Sequence, residues 1–216
     1  SGSECEGAFV NEQLPMFPPS PGRGPTRPPQ TRMVSRARLH KVFFALQPSA
    51  PEAARIAARA ANDDRRLSIG GKPLEPGRLH VTLRLMVEYS DVFPTSDIEC
   101  WMTAAASVRM APFEVSFDRV ATFGGSGQPL VLKASAESAV AAVRELDHAF
   151  GTALAGFGKR AVPRSFEPHM TVSYYGARMV ETPIEPIRWT AHDFVLIDSH
   201  QGEHLHEVLG RWPLEL

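Results

Sequence analysis

The stretch "RLHVTLRLM", residues 78–86, places His80 and Thr82 two apart in a segment apolar enough to be a strand. Strand side chains alternate between faces, so His80, Thr82 and Arg84 are expected on one side and Val81, Leu83 and Leu85 on the other. The apolar side reads as core. The other side carries an imidazole, a hydroxyl and a guanidinium, which a strand with one solvated face would also explain.

A second copy weakens that explanation. "HMTVSYY", residues 169–175, sets His169 and Thr171 two apart, with Ser173 and Tyr175 expected on the same face. "HVTL" and "HMTV" share the pattern histidine, apolar, threonine, apolar, and each follows a helix and a loop. With eight histidines and ten threonines, random placement gives about 0.4 His-x-Thr pairs, and the apolar requirement lowers that about tenfold.

Outward from the two motifs, the chain reads as alternating strands and helices. "LHKVFFAL" from Leu39 has strand length. Ser49 can cap a helix running to about residue 64, with Ile56 on its apolar face. "IGGKPLEPG" is a loop. Ser96 and Glu99 have capping-box spacing at the head of a second helix. "FEVSFDRVATF" and "PLVLKA" form a hairpin across "GGSGQ". "ESAVAAVRELDHAFGTALAGFG" has Val140, Val143, Leu146, Phe150 and Leu154 at helical spacing. "AHDFVLIDS" and "EVLGRWPL" close the chain as a hairpin. Residues 1–36, dense in proline and glycine, read as a flexible tail.

Composition sets the class. The 216 residues are 43% hydrophobic and 22% charged, with a formal net charge of −1, as expected of a globular protein. That balance argues against coating long nucleic acid, which usually needs a basic excess. Cys5 and Cys100 make neither a structural disulfide nor a zinc pattern. No apolar run approaches the roughly 18 residues of a membrane span. A reducing cytoplasm is the expected location.

Two imidazoles facing each other across a cleft can serve as general base and general acid near neutral pH. Phosphoryl transfer needs in-line entry of a nucleophile and exit of a leaving oxygen, one histidine on each side. The threonines, about 7 Å along each strand, can donate to the non-bridging oxygens.

From about residue 38 to 214 the sequence resembles the two-histidine (2H) phosphoesterases, in their bacterial 2′-5′ RNA ligase / RNA 2′,3′-cyclic phosphodiesterase branch. "KVFFAL", "RLHVTLRL", "PFEVSFDRVATF", "FEPHMTVSY" and "FVLIDS…HEVLGRWPL" carry the resemblance. It implies an α+β fold over residues 37–216: two similar lobes, each with a small antiparallel sheet and outer helices, and a central cleft holding both motifs. It implies His80 and His169 as the catalytic pair and Thr82 and Thr171 as the phosphate holders, with no metal and no cofactor. In the usual assignment the second histidine activates water and the first protonates the departing 3′ oxygen. The substrates implied are RNA ends or nucleotides carrying a 2′,3′-cyclic phosphate, hydrolysed to a 2′-phosphate, with reversible 2′-5′ ligation as an accompanying activity.

The chain departs from the pattern in two places. Many relatives carry a basic residue five after the second histidine, where Tyr174 stands, and an aromatic five after the first, where Leu85 stands. Arg84 is the candidate substitute for the missing basic contact, Tyr175 a candidate base-stacking ring, and Phe43 a candidate wall of the base pocket. Rival readings are a nucleotide or RNA-end binding module without turnover, and a phosphodiesterase for 2′-5′ oligoadenylate or another small phosphodiester. Two retained histidines favour an enzyme, because binding alone needs no acid and base. No membrane or protein partner is implied, and a monomer is expected.

Other signals carry less. "HQGEH", residues 200–204, matches a zinc-protease pattern that needs a helix, but Gly202 and the flanking strands make it a turn, with His206 adding a third imidazole nearby. "GGSG" lacks the Lys-Ser/Thr of a P-loop. Arg32, Arg36, Arg38 and Lys41 read as a solvated boundary or an RNA-backbone guide. His40, His148 and His192 receive no role.

Overall fold

The computed structural model describes residues 39–124, 127–157 and 167–216. The expected tail, the arginines at 32, 36 and 38, and part of the "GGSG" turn lie outside the described residues. The chain order is β1 (His40–Leu46), α1 (Ala50–Arg66), β2 (Lys72–Pro73), β3 (Val81–Tyr89), α2 (Thr95–Ala106), β4 (Phe113–Thr122), β5 (Leu130–Lys133), α3 (Ala141–Ala155), β6 (His169–Tyr174), β7 (Thr182–Ala191), β8 (Asp193–His200) and β9 (Leu205–Pro213). Short 3-10 turns precede β3 and α3.

Each helix starts and stops for a local reason. At α1, the Glu52 carboxylate accepts from the Ser49 backbone N–H at 3.0 Å and from its hydroxyl at 2.7 Å, satisfying a donor that the helix start leaves unpaired. Ser96 and Glu99 do not form the expected box. Helix α2 begins one residue earlier, at Thr95, with Pro94 as its cap, so Ser96 already lies in the first turn. Helix α3 starts after a 3-10 turn and ends at Gly156.

The expectation of two separate small sheets is corrected. The described residues form one nine-stranded sheet in the order β7-β4-β5-β6-β3-β1-β8-β9, with β2 also paired to β6. Every registered pair is antiparallel. The two halves meet at a single pair, Val81 opposite Met170, where β3 runs against β6. Both residues are fully buried, so the core runs under the join and the sheet stays whole.

All three helices lie against one face. Arg55 of α1 donates to the Arg188 carbonyl on β7, and Phe150 of α3 packs 4.1 Å, centroid to centroid, from Phe44 of β1. So α1 follows β1 yet covers the far half of the sheet, and α3 follows β5 yet covers the near half. Phe44, Phe117, Phe194, Leu146 and Met170 are fully buried there, each contributing about 1.5–3 kcal/mol by leaving water. A smaller apolar cluster of Phe43, Ala45, Val195 and Ile197, joined by Leu85, lines the other face. No helix among the described residues is long and apolar enough to cross a membrane.

Strand β7 has no counterpart in the sequence-based reading. Its Pro183 and Pro186 argue against a strand in sequence, because proline cannot donate to a ladder. The strand lies at the end of the sheet, where a missing donor costs least.

Candidate active site

The two histidines stand on either side of the central pair. His80 is the residue just before β3 rather than within it, and His169 is the first residue of β6. Because Val81 faces Met170 in antiparallel register, continuing the ladder one step each way sets His80 beside Thr171 and Thr82 beside His169. Each imidazole shares a cavity with the threonine of the other half.

Their surroundings repeat. His80 Nδ1 donates to the Arg78 carbonyl at 2.7 Å, and His169 Nδ1 donates to the Glu167 carbonyl at 2.7 Å. A carbonyl only accepts, so each ring carries its proton on Nδ1 and keeps Nε2 for chemistry when neutral. Phe43 stacks on His80 with centroids 5.0 Å apart, and Phe123 packs on His169 at 4.7 Å. Lys133, the ladder partner of His169, binds the carboxylates of Glu167 and Glu181 and so steadies the residue whose carbonyl orients His169.

A bulge then overturns part of the strand alternation. Ala45 pairs with Thr82 and Phe44 with Arg84, leaving Leu83 as an extra residue. Side chains of paired residues share a face, so Arg84 turns with Phe44 toward the helices, and Leu85 turns with Phe43 toward His80. This reverses both expectations. The Arg84 guanidinium meets Asp147 of α3, with Nε to Oδ1 at 2.8 Å and Nη2 to Oδ2 at 2.9 Å. Its charge is paired with Asp147, and both residues border the cavity that holds Thr82 and His169.

The second half repeats the irregularity at the same place. Thr171 pairs with Val131 and Ser173 with Leu130, leaving Val172 extra. Ser173 is buried beside α1, while Tyr174 turns to the His80 side. Tyr175 lies beyond the strand with φ 61° and is 73% exposed. It does not share the His169 face, a correction with the same cause.

Two adjoining cavities flank Thr82. One, about 340 Å³, is lined by His80, Thr82, Thr171, Tyr174, Phe43, Arg78 and His206 among others. The other, about 200 Å³, is lined by Thr82, Arg84, Leu85, Phe123, Asp147 and His169 among others. A larger depression between α1 and β7, about 670 Å³, has no histidine, and its Asp63 is held by Arg59 and Arg66.

Two site residues escaped sequence reasoning. His206, on β9, sits 5.2 Å from His80, ring to ring. Burial, with the nearby His80 and Arg78, pushes its pKa down to about 3. Arg78 holds the His80-orienting carbonyl, and its Nε is buried with no hydrogen-bond partner among the described residues. Arg78 stood in the motif itself, two before the histidine; His206 had only its nearness to the "HQGEH" turn. His80 is also pushed below the ordinary histidine pKa, first by burial and then by the charges of His169 and Arg78.

Comparison with known proteins follows this geometry. A family model described as the 2′-5′ RNA ligase superfamily matches residues 46–203. In structure the chain is similar to LigT of E. coli in its apo form, at 20% identity and TM-score 0.64, covering 83% of this chain and 99% of that one. It is similar to E. coli LigT complexed with 3′-AMP, at 20% identity and TM-score 0.63, over 82% and 99%. It is also similar to TT0787 of Thermus thermophilus, at 21% identity and TM-score 0.61, over 81% and 97%. Compared by sequence, none of the curated proteins matches.

Proposed function

Because the chain belongs to the 2′-5′ RNA ligase superfamily, we propose that it hydrolyses RNA ends or nucleotides bearing a 2′,3′-cyclic phosphate to the 2′-phosphate. Two histidines serve as base and acid in this reading, and no metal acts at the reacting phosphorus. The observation that carries it is the matched pair: two imidazoles, each locked by a 2.7 Å bond from Nδ1 to the carbonyl two residues earlier, each beside a threonine. A group that only binds has no need of two rings held in one tautomer. A solved structure of a relative described as complexed with 3′-AMP supports a nucleotide ligand.

The step balances with these groups alone. Water attacks phosphorus as one Nε2 takes its proton, and the P–O3′ bond breaks as the other ring, protonated, gives a proton to O3′. Thr82 and Thr171 donate to the non-bridging oxygens, and Arg78 supplies positive charge at the His80 end. The resemblance makes His169 the base. The lowered pKa of His80 keeps that ring unprotonated at neutral pH and favours the reverse, His80 as base and His169 as acid. With a 5′-hydroxyl in place of water as the nucleophile, the same step opens the cyclic phosphate at P–O3′ and leaves a 2′-5′ linkage.

The test supplies cytidine and adenosine 2′,3′-cyclic phosphates to the wild type, His80→Ala and His169→Ala, and follows the products by phosphorus NMR. Formation of the 2′-phosphate by the wild type, slowed about 10²–10⁴-fold in each variant, is expected. Saturable binding without turnover would replace the enzyme with a binding module.

A further inference from the structure

A second polar cluster lies on the opposite face of the sheet from the histidine pair. His40 begins β1, Tyr89 ends β3, Asp198 and His200 close β8, and Glu207 stands on β9. The register gathers them: His40 pairs with both Tyr89 and His200, and Asp198 pairs with Glu207. Asp198 also pairs with Val42 of the main core, which fixes the cluster on the helix side.

The contacts are close. Tyr89 Oη donates to Asp198 Oδ2 at 2.6 Å. His40 Nδ1 lies 3.0 Å from that oxygen. His200 Nε2 lies 3.7 Å from it and 3.5 Å from Glu207 Oε2. The rings of His40 and His200 are 4.4 Å apart. Asp198 is 2% exposed. His200 Nε2 is shut off from solvent and has no hydrogen-bond partner among the described residues.

We infer that His40, Asp198 and His200 form a binding site for one divalent transition-metal ion of the zinc class. Zinc binds nitrogen and oxygen at about 2.0–2.2 Å in a tetrahedron, so its ligand atoms sit about 3.3–3.5 Å from one another. The Asp198 Oδ2 separations of 3.0 Å from His40 Nδ1 and 3.7 Å from His200 Nε2 bracket that spacing. One ligand atom from each of His40, Asp198 and His200 lies within 4.8 Å of the others. Two imidazoles with a carboxylate suit zinc, whereas calcium and magnesium take oxygen. An ion here would also satisfy His200 Nε2. Tyr89 Oη donates to the same Asp198 oxygen and lies 3.1 Å from His40 Nδ1, so it orients both ligands from the outer shell.

The "HQGEH" pattern contributes only half of itself. His204, at φ 58° in the turn, has its Nδ1 3.3 Å from Arg78 Nη1, and His40 takes the place that the pattern gave to His204. Three protein ligands leave the fourth position of the tetrahedron to water. The ion ties β1 to β8 at their shared end, with Glu207 of β9 3.5 Å from His200 Nε2. This inference is independent of the phosphodiester chemistry on the other face.

The test uses the full chain, stripped with EDTA and dialysed, then titrated with Zn²⁺ by calorimetry and with Co²⁺ by visible absorption. One equivalent of zinc, an intense tetrahedral cobalt spectrum and a raised melting temperature are expected. His40→Gln and His200→Gln should each weaken binding about 100-fold, and His80→Ala should leave it unchanged. No saturable binding, wild-type affinity in both glutamine variants, or loss in His80→Ala instead would overturn the inference. Should a glutamine variant fail to melt cooperatively, imidazole nitrogen NMR of the wild type decides. Zinc must then shift the His40 and His200 signals and leave those of His80 and His206 in place; the opposite pattern refutes the site.

Discussion

The bulge at Leu83 sends Arg84 to the helix side, and removing its partner tests that direction. Arg84 and Asp147 are each 11% exposed and share two hydrogen bonds at 2.8 and 2.9 Å. Removing one member of a buried pair costs about 3–5 kcal/mol, because the other charge stays desolvated. The pair is not sealed from water, so the low end applies: Arg84→Met should lose about 3 kcal/mol. Asp147→Asn keeps one acceptor oxygen and should lose about 2 kcal/mol. The double variant Arg84→Met/Asp147→Leu removes both charges and should recover most of the loss. Urea unfolding gives these differences as shifts in midpoint at constant slope. Turnover of a nucleotide 2′,3′-cyclic phosphate, measured where every variant is folded, should stay within about threefold in Asp147→Asn, since the lost term lies in folding and not in transition-state binding. An Arg84→Met variant as stable as wild type but about 100-fold slower would refute the face assignment and return Arg84 to the phosphate.

Three further outcomes follow from the site. His206 has a folded pKa of about 3, so below pH 6.5 the unfolded chain binds a proton that the folded chain does not, and stability falls with pH. One such group loses up to about 2 kcal/mol by pH 5, reduced to about 1 for a partly solvated ring; His206→Gln should flatten the urea-measured slope between pH 7 and 5, and an unchanged slope counts against the burial argument. With His80 lowered, the acid limb of kcat/KM should have its midpoint below about 6.5, the ordinary histidine value, and a midpoint at or above it would remove His80 as the base. Tyr175→Ala should leave KM unchanged and Tyr174→Ala should raise it, read by initial rates, because only Tyr174 lines the His80 cavity; the reverse result would restore the plain strand alternation.

Much of this architecture was legible in residue order. The repeated His-x-Thr strings located the centre of the sheet, and the apolar spacing of Val143, Leu146, Phe150 and Leu154 placed α3. What stayed hidden was long-range. A bulge leaves no mark in "VTLRL", because whether Leu83 is extra depends on where Ala45 and Phe44 pair. The same holds for Val172, and it explains why plain alternation misplaces Arg84 and Ser173. Strand β7 was masked by two prolines that an edge position tolerates. His40 and His200 lie 160 residues apart in the chain, and only the pairing of β1 with β8 brings them together. His206 reaches His80 by the return of β9, which residue types alone do not announce.

The central claim is tested most directly with an RNA oligomer ending in a 2′,3′-cyclic phosphate, in the presence of EDTA. Wild type, His80→Ala and His169→Ala would be compared, and the position of the phosphate in the product identified. The account predicts conversion to a 2′-phosphate by the wild type and its loss in both variants. Intact substrate with the folded wild type, or a product formed equally well without either histidine, would contradict it.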